Sequence, residues 1–210
     1  MNTNIIKKCV FHINDKEVFF FHNNDEDIVQ LFIEALKQEE SQYHMIEHNR
    51  SLQMGFHYYV FKKVNQSFQI FGVDYKKNPF QDFTEDLSLS LSIMKDQLII
   101  TKRTGLMSQD IITFQDSLLV RKSVFNSHRF YFEKQQEKEK NDSGWYMGSL
   151  DDTTQSSFPD DYTSLLLYQL LSLCPNALSI LNLPVGTIVI IEDNEIVRIC
   201  DANNKEVYVK

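Results

Sequence analysis

With 210 residues the chain has room for one large domain or two small ones, and either can bury a real core. Apolar residues make up 42% and charged residues 24%, with sixteen phenylalanines and nine tyrosines, which excludes a disordered chain and favours strands. The net charge of -8 disfavours nucleic acid as a partner, and no run approaches the roughly 18 apolar residues of a membrane span.

The charge is unevenly placed. From Asn141 onward ten Asp or Glu face only Arg198, Lys205 and Lys210, giving -7, whereas residues 1–140 hold nineteen acids and eighteen bases, giving -1. An acidic half of this kind attracts basic partners. Cys9, Cys174 and Cys200 are odd in number and far apart, with no CxxC pair, so they read as buried thiols in a reducing compartment. The opening residues MNTNIIKKCVFHIND carry no apolar stretch of signal-peptide length, which makes a cytoplasmic protein the expectation.

Ile5–Ile13 and Glu17–His22 flank Asn14-Asp15-Lys16 and predict an opening hairpin. Asn24 is placed to cap a helix with Asp25, Glu26 and Asp27 in its first turn and Ile28, Leu31, Phe32, Ala35 and Leu36 on one face, running to about Glu40. Gly55–Val64 and Ser67–Tyr75 predict a second hairpin around Asn65-Gln66, so the first unit reads β-β-α-β-β. Lys76-Lys77-Asn78-Pro79 is the linker candidate, because Pro79 stops strands and helices alike.

Thr84 is placed to cap a second helix that carries Leu87, Leu91, Met94 and Leu98 on one face and ends before Gly105. Leu89, Ile93, Ile99 and Ile100 make it apolar elsewhere too, so it is expected to be sandwiched as shared core. The second unit opens with strands near Ser117–Val124 and His128–Glu133, followed by an exposed charged loop, Glu133–Asp142. After a polar stretch from Asp151 to Ser157, a leucine-dense helix is predicted from about Tyr162 to Leu173, and Pro175 separates it from a short turn at Asn176–Leu181. Val185–Ile191, Glu195–Cys200 and Glu206–Val209 close the chain as a meander with turns at Asp193-Asn194 and Asn203-Asn204. The fold class is α+β: two β-rich units with mostly antiparallel sheets, each covered by helices, divided as residues 1–80, a connecting helix over 81–105, and 106–210.

No catalytic constellation is legible. GxGxxG, GxxxxGKS/T and GxSxG are absent, which leaves nucleotide binding and nucleophilic catalysis unsupported. His44 and His48 would share a helix face, but they lack a third ligand, so no metal and no cofactor are expected. The carboxylate pairs Asp151-Asp152 and Asp160-Asp161 read as solvated acids, not as an acid–base pair. The stretch NDSGWYMGSLDD (141–152) concentrates unusual residues. Asp142-Ser143-Gly144 builds a turn in which the aspartate oxygen bonds the backbone two residues on, and Trp145 and Met147 then face one side of a strand with Tyr146 on the other. Trp145 is expected as a core anchor with its indole nitrogen bonded.

The succession SLLVRKSV, HRFYFEK, a charged loop, DSGWYMGSLDD, and LLSLCPNALSILNLPVGTIVIIED resembles the bacterial immunity protein 33 family over about Phe114 to Ile199. Asp142, Gly144, Trp145, Pro184 and Gly186 carry the resemblance. Where the family often has a glycine and glutamate after the tryptophan strand, this chain has Gly148-Ser149-Leu150-Asp151-Asp152, so partner contacts there need not transfer. The resemblance implies an antidote protein, not an enzyme, that binds and neutralises a cognate bacterial toxin. The acidic half suits a toxin with a basic active-site cleft, with Asp151, Asp152, Asp160 and Asp161 on the contact rim. The alternative is a small-molecule or peptide sensing module with an aromatic-lined pocket, and a hydrolase using the acidic pairs would need two carboxylates converging in a cleft.

Overall fold

A computed structural model describes residues 5–136, 139–153 and 158–210. It has the expected α+β class, and the chain divides into two compact units, Met1–Lys95 and Asp96–Lys210. The middle of the charged loop, 137–138, and most of the polar stretch, 154–157, lie outside the described residues.

The first unit opens with the hairpin β1 (Lys7–Ile13) and β2 (Lys16–His22), turned at Asn14, which takes φ 55°. Helix α1 (Glu26–Tyr43) follows. Its N-cap is Asp25, not Asn24, and no side chain caps it; the acids Glu26 and Asp27 still favour the positive end of the dipole. The buried face also differs from the expected one: Val29 and Ile33 are inside, while Leu31 is 50% exposed. β3 (Ser51–Met54), β4 (His57–Val64), β5 (Ser67–Val73) and the two-residue β6 (Phe83–Thr84) complete the unit. The order is β1-β2-β5-β4-β3, with β6 on β5, and only β2–β5 is parallel. β6 returns to β5 after Pro79, so the unit continues beyond the Lys76–Pro79 break. Phe20, Phe32, Tyr59 and Phe61 form the core between α1 and the inner sheet face.

Helix α2 begins at Ser88, four residues after Thr84, and ends at Thr104. Thr84 and Asp86 instead shape its approach: Thr84 Oγ1 accepts from the Asp86 N–H, and Asp86 Oδ1 accepts from the Ser88 N–H. Leu87 and Leu91 bury into the core of the first unit. The helix is wetter than its composition suggests, because Leu89, Leu98 and Ile99 are 37%, 46% and 37% exposed.

The second unit is a seven-stranded sheet in the order β10-β7-β9-β8-β11-β12-β13. Its strands are β7 (Ser117–Arg121), β8 (Arg129–Lys134), β9 (Asp142–Ser149), β10 (Tyr162–Leu166), β11 (Ile188–Glu192), β12 (Glu195–Cys200) and β13 (Glu206–Val209). Only β7–β9 is parallel. The expected helix from Tyr162 is corrected here: Tyr162–Leu166 is strand β10 on the edge of β7, and helix is confined to a 3-10 turn at Leu167–Gln169 and the single turn α3 (Leu170–Leu173). A short apolar run does not reveal its own period, and an unpaired edge of β7 offers it five residues of ladder. A further 3-10 stretch, Pro175–Ile180, follows α3. Alternate strand residues, among them Leu118, Val120, Phe132, Trp145, Met147, Val189 and Ile199, bury on one face, and Leu170, Ala177, Leu178 and Leu181 are buried with them.

Candidate functional site

The expected turn at Asp142–Gly144 forms, but within the strand, not ahead of it. It is a bulge inside β9: Ser117 pairs with Asp142 but Leu119 pairs with Tyr146, so between these pairs one residue of β7 faces three of β9. Local bonds fix it. Asp142 Oδ1 accepts from the Gly144 N–H at 2.9 Å, Ser143 Oγ accepts from the Trp145 N–H at 3.2 Å, and Ser143 Oγ donates to the Ser117 carbonyl at 2.6 Å. Gly144 takes φ 68°, a left-handed conformation that costs other residues energy. Beneath the bulge the ammonium of Lys134, fully buried, donates to the Ser143 carbonyl at 2.5 Å.

The bulge sends Trp145 inward, where it is 1% exposed and its Nε1 donates to the Leu181 carbonyl at 3.2 Å. Burial of about 200 Å² at ~25 cal/mol per Å² gives this side chain roughly 5 kcal/mol of transfer free energy. Pro184 and Gly186 form the turn opposite: Thr187 N–H donates to the Pro184 carbonyl, and Gly186 N–H donates to the Lys134 carbonyl at 2.8 Å.

Tyr146 points to the other sheet face, its ring 5.6 Å from Tyr131 and 6.3 Å from Tyr162. Tyr131 lies against the bare backbone of Gly148, its cross-strand partner. Burial, then the hydrogen bond with Tyr131, pushes the Tyr146 phenol above its ordinary range and keeps it a neutral donor. This three-strand tyrosine cluster was not legible beforehand, since Tyr162 was expected on a helix. A recess of about 250 Å³ adjoins it, lined by Leu119, Gln135, Glu139, Asp142, Tyr146 and Ser164 among others.

The four acids named from the sequence come from two separate segments and converge. Asp152, Asp160 and Asp161 line one recess with Arg121, Lys122 and Ser123; Asp151 and Asp152 line a second, of about 360 Å³, with Ser123, Asn126 and Ser127. Their states differ. Asp152 is 9% exposed and accepts from Arg121 Nε at 3.0 Å, so it is built into the fold. Asp151, 46% exposed, meets Arg129 at 3.4 Å and accepts from the Ser127 hydroxyl at 2.7 Å. Asp161 accepts from the Phe158 N–H at 2.8 Å, and the Asp160 carbonyl accepts from Lys122 Nζ at 2.6 Å. Leu150 and Phe158 on these segments, and Phe125 in the 3-10 turn Lys122–Asn126 that lines the same recesses, are exposed by 37%, 65% and 51%, and spacing alone does not single them out.

His44 is the left-handed C-cap of α1, so it and His48 share no helix face. Among the described residues no group of three His, Cys, Asp or Glu is placed to hold a metal ion. No helix of the described residues is long and apolar enough to cross a membrane.

Comparison with known families decides the assignment. The family model described as the Imm33-like domain matches residues 96–202. The chain belongs to the Imm33-like family. The match is wider than the Phe114–Ile199 stretch that carries the resemblance, and it begins at Asp96, where the second unit begins. The Imm33-like region therefore contains the DSGW bulge, the tyrosine cluster and all four acids. No curated protein and no solved structure matches the chain. Membership places the chain in an immunity-protein family, for which a protein partner is the expected ligand.

Proposed function

We propose that the protein is an immunity protein that acts in the cytoplasm by binding, not by catalysis, and neutralises a cognate toxin used in competition between bacteria. Membership in the Imm33-like family supports the reading, and one observation carries it to a surface: four acids from two segments converge beside Phe125, Leu150 and Phe158. Protein interfaces concentrate affinity in a few aromatic anchors that exclude water, while charges around them speed encounter and reject wrong partners. Acids on segments that also expose phenylalanines fit a toxin whose functional cleft is basic, such as a nuclease. The toxin then meets Asp151, Asp160 and Asp161 first, with Asp152 and Arg121 holding their segment in place.

The test is to co-express the chain with the toxin encoded beside it and to measure rescue, co-purification and the association rate against salt. Asp151→Lys with Asp160→Lys is expected to lower the association rate at least about tenfold and to flatten its salt dependence. Phe158→Ala is expected to raise the dissociation rate. A toxin that kills equally with and without the protein, or that ignores these substitutions, would remove the reading.

A further inference from the structure

The face of the second sheet that turns away from Trp145 carries Tyr162 on β10, Leu119 and Arg121 on β7, Tyr146 on β9, and Tyr131 and Glu133 on β8. Leu119 is 44% exposed and the three tyrosines are half-buried. Beside Tyr146 this face opens into the recess of about 250 Å³, whose lining includes Gln135, Gln136, Glu139 and Ser164. The arginines of the face are already committed: Arg121 pairs with Asp152, Arg129 with Glu192 and Arg198 with Glu206. Asp142, also in the lining, is engaged at the Gly144 N–H. Two further anions are not committed. Among the described residues the carboxylates of Glu133, cross-strand from Tyr146, and of Glu139 in the lining belong to no ion pair and accept no hydrogen bond.

We propose that this recess and the tyrosines beside it bind an arginine side chain of a basic protein partner, an inference that rests on the antidote reading for the partner's identity. A guanidinium is a flat cation with five N–H donors and no acceptor, so it needs an aromatic ring to stack on and several oxygens to accept from it. Tyr146 supplies the ring, Gln135 and Gln136 amide oxygens, Ser164 a hydroxyl, and Glu133 and Glu139 the countercharge. An apolar side chain would desolvate these carboxylates without pairing them, and an anion would be repelled. The ammonium of lysine lacks the planar fork and holds its water more tightly. Continuity assigns the site to the same partner as the acids: Tyr162 is cross-strand from Arg121, and Arg121 lines the recess that holds Asp152, Asp160 and Asp161. One protein surface then spans both recesses, drawn in by the exposed acids and held at the tyrosines.

An NMR titration of the full chain with an acetylated and amidated Gly-Arg-Gly-Arg peptide, following amide and tyrosine-ring signals, tests the site without any toxin. A Gly-Lys-Gly-Lys peptide of equal charge is the control. The arginine peptide is expected to shift the Tyr131, Tyr146 and Tyr162 rings and to bind at least about threefold more tightly than the lysine peptide. Glu133→Gln with Glu139→Gln, which removes two charges that hold nothing in the fold, is expected to weaken arginine binding roughly fivefold at low salt while Trp145 emission stays unchanged. Tyr146→Leu is expected to abolish the preference for arginine, and where that variant does not fold the double glutamine variant decides. Shifts confined to the Asp151 and Asp160 segments, equal binding of the two peptides, or an affinity untouched by the double glutamine variant overturns the proposal. The antidote reading is judged separately by toxin rescue. Rescue by a chain whose tyrosine face ignores the arginine peptide keeps that reading and removes this site, whereas arginine binding here without rescue keeps the site and removes the antidote.

Discussion

Two glycines in the second unit permit a controlled test of what the DSGW bulge demands. Gly144 takes φ 68° and Gly105, just past the end of α2, takes φ 69°, so Ala at either position incurs the same backbone penalty of about 1 kcal/mol. Their surroundings differ. A Cβ on Gly105 meets nothing within 4 Å, but a Cβ on Gly144 falls well under 3.0 Å from the Gln135 carbonyl oxygen. That oxygen is backbone and cannot swing away, so β8 and β9 must part where the Gln135 N–H donates to the Gly144 carbonyl at 2.7 Å. Loss of that bond and strain on the buried Lys134 add about 2 to 3 kcal/mol. Trp145 is the only tryptophan, so its emission in a urea titration reports the second unit alone. Gly105→Ala should lower stability by about 1 kcal/mol and Gly144→Ala by about 3 to 4. If the two variants agreed within ~0.5 kcal/mol, the close approach would contribute nothing and the account of the bulge would fail.

Three further outcomes are expected. Asp152→Asn should destabilise the second unit by about 2 kcal/mol by weakening a largely buried pair with Arg121, while Asp151→Asn leaves its urea midpoint unchanged. Lys134→Met, which keeps length but removes the donor to the Ser143 carbonyl, should lower stability by about 2 kcal/mol and shift Trp145 emission to the red, as seen by fluorescence at equal protein concentration. The first unit should weaken in acid: burial depresses His57 to about 3, so it stays neutral when folded and protonates on unfolding, and burial also lowers His22, so that ring too binds its proton more readily in the unfolded chain. Their contribution is complete above the ordinary histidine value of 6.5. As pH falls below that value it is lost, by about 1.4 kcal/mol per pH for each ring that stays neutral in the folded chain. Glu40, where burial opposes but the Lys16 and Ile46 bonds prevail, adds acid sensitivity only below 4.5. The protection factors of β4 amides, taken relative to the intrinsic exchange rate at each pH, should therefore fall between pH 6.5 and 4.5, and His57→Gln should flatten that slope.

Strands were legible where side chains alternate and a turn residue favours positive φ. Asn14, Asn65, Asp193 and Asn194 all take left-handed conformations at the expected hairpins. Elements whose state depends on a distant neighbour were not. Nothing in Tyr162–Leu166 reveals that β7 has a free edge, and Ser51–Met54 is a strand only because β4 pairs with it. Nor does spacing show whether a carboxylate is free. Asp151 and Asp152 are adjacent in sequence, yet one faces solvent and the other holds Arg121, because the chain turns between them. The tyrosine cluster was hidden for the same reason, since it requires three strands to be in register.

The residues that carry the family likeness and those proposed to meet a partner differ in how they are constrained. Asp142, Gly144 and Trp145 are tied to Ser117, Gln135 and Leu181 on three other segments, so each change there disturbs the sheet. Asp151, Asp160 and Phe158 make exposed bonds, to Ser127 and Arg129, to Lys122, and to Asp161 respectively. Mutations in the first set lower stability and so remove the protein whatever its partner, whereas mutations in the second change encounter and affinity at little cost to folding. The residues that carry the family likeness are therefore scaffold, and the partner surface proposed for this chain is tested at the acids and phenylalanines outside them.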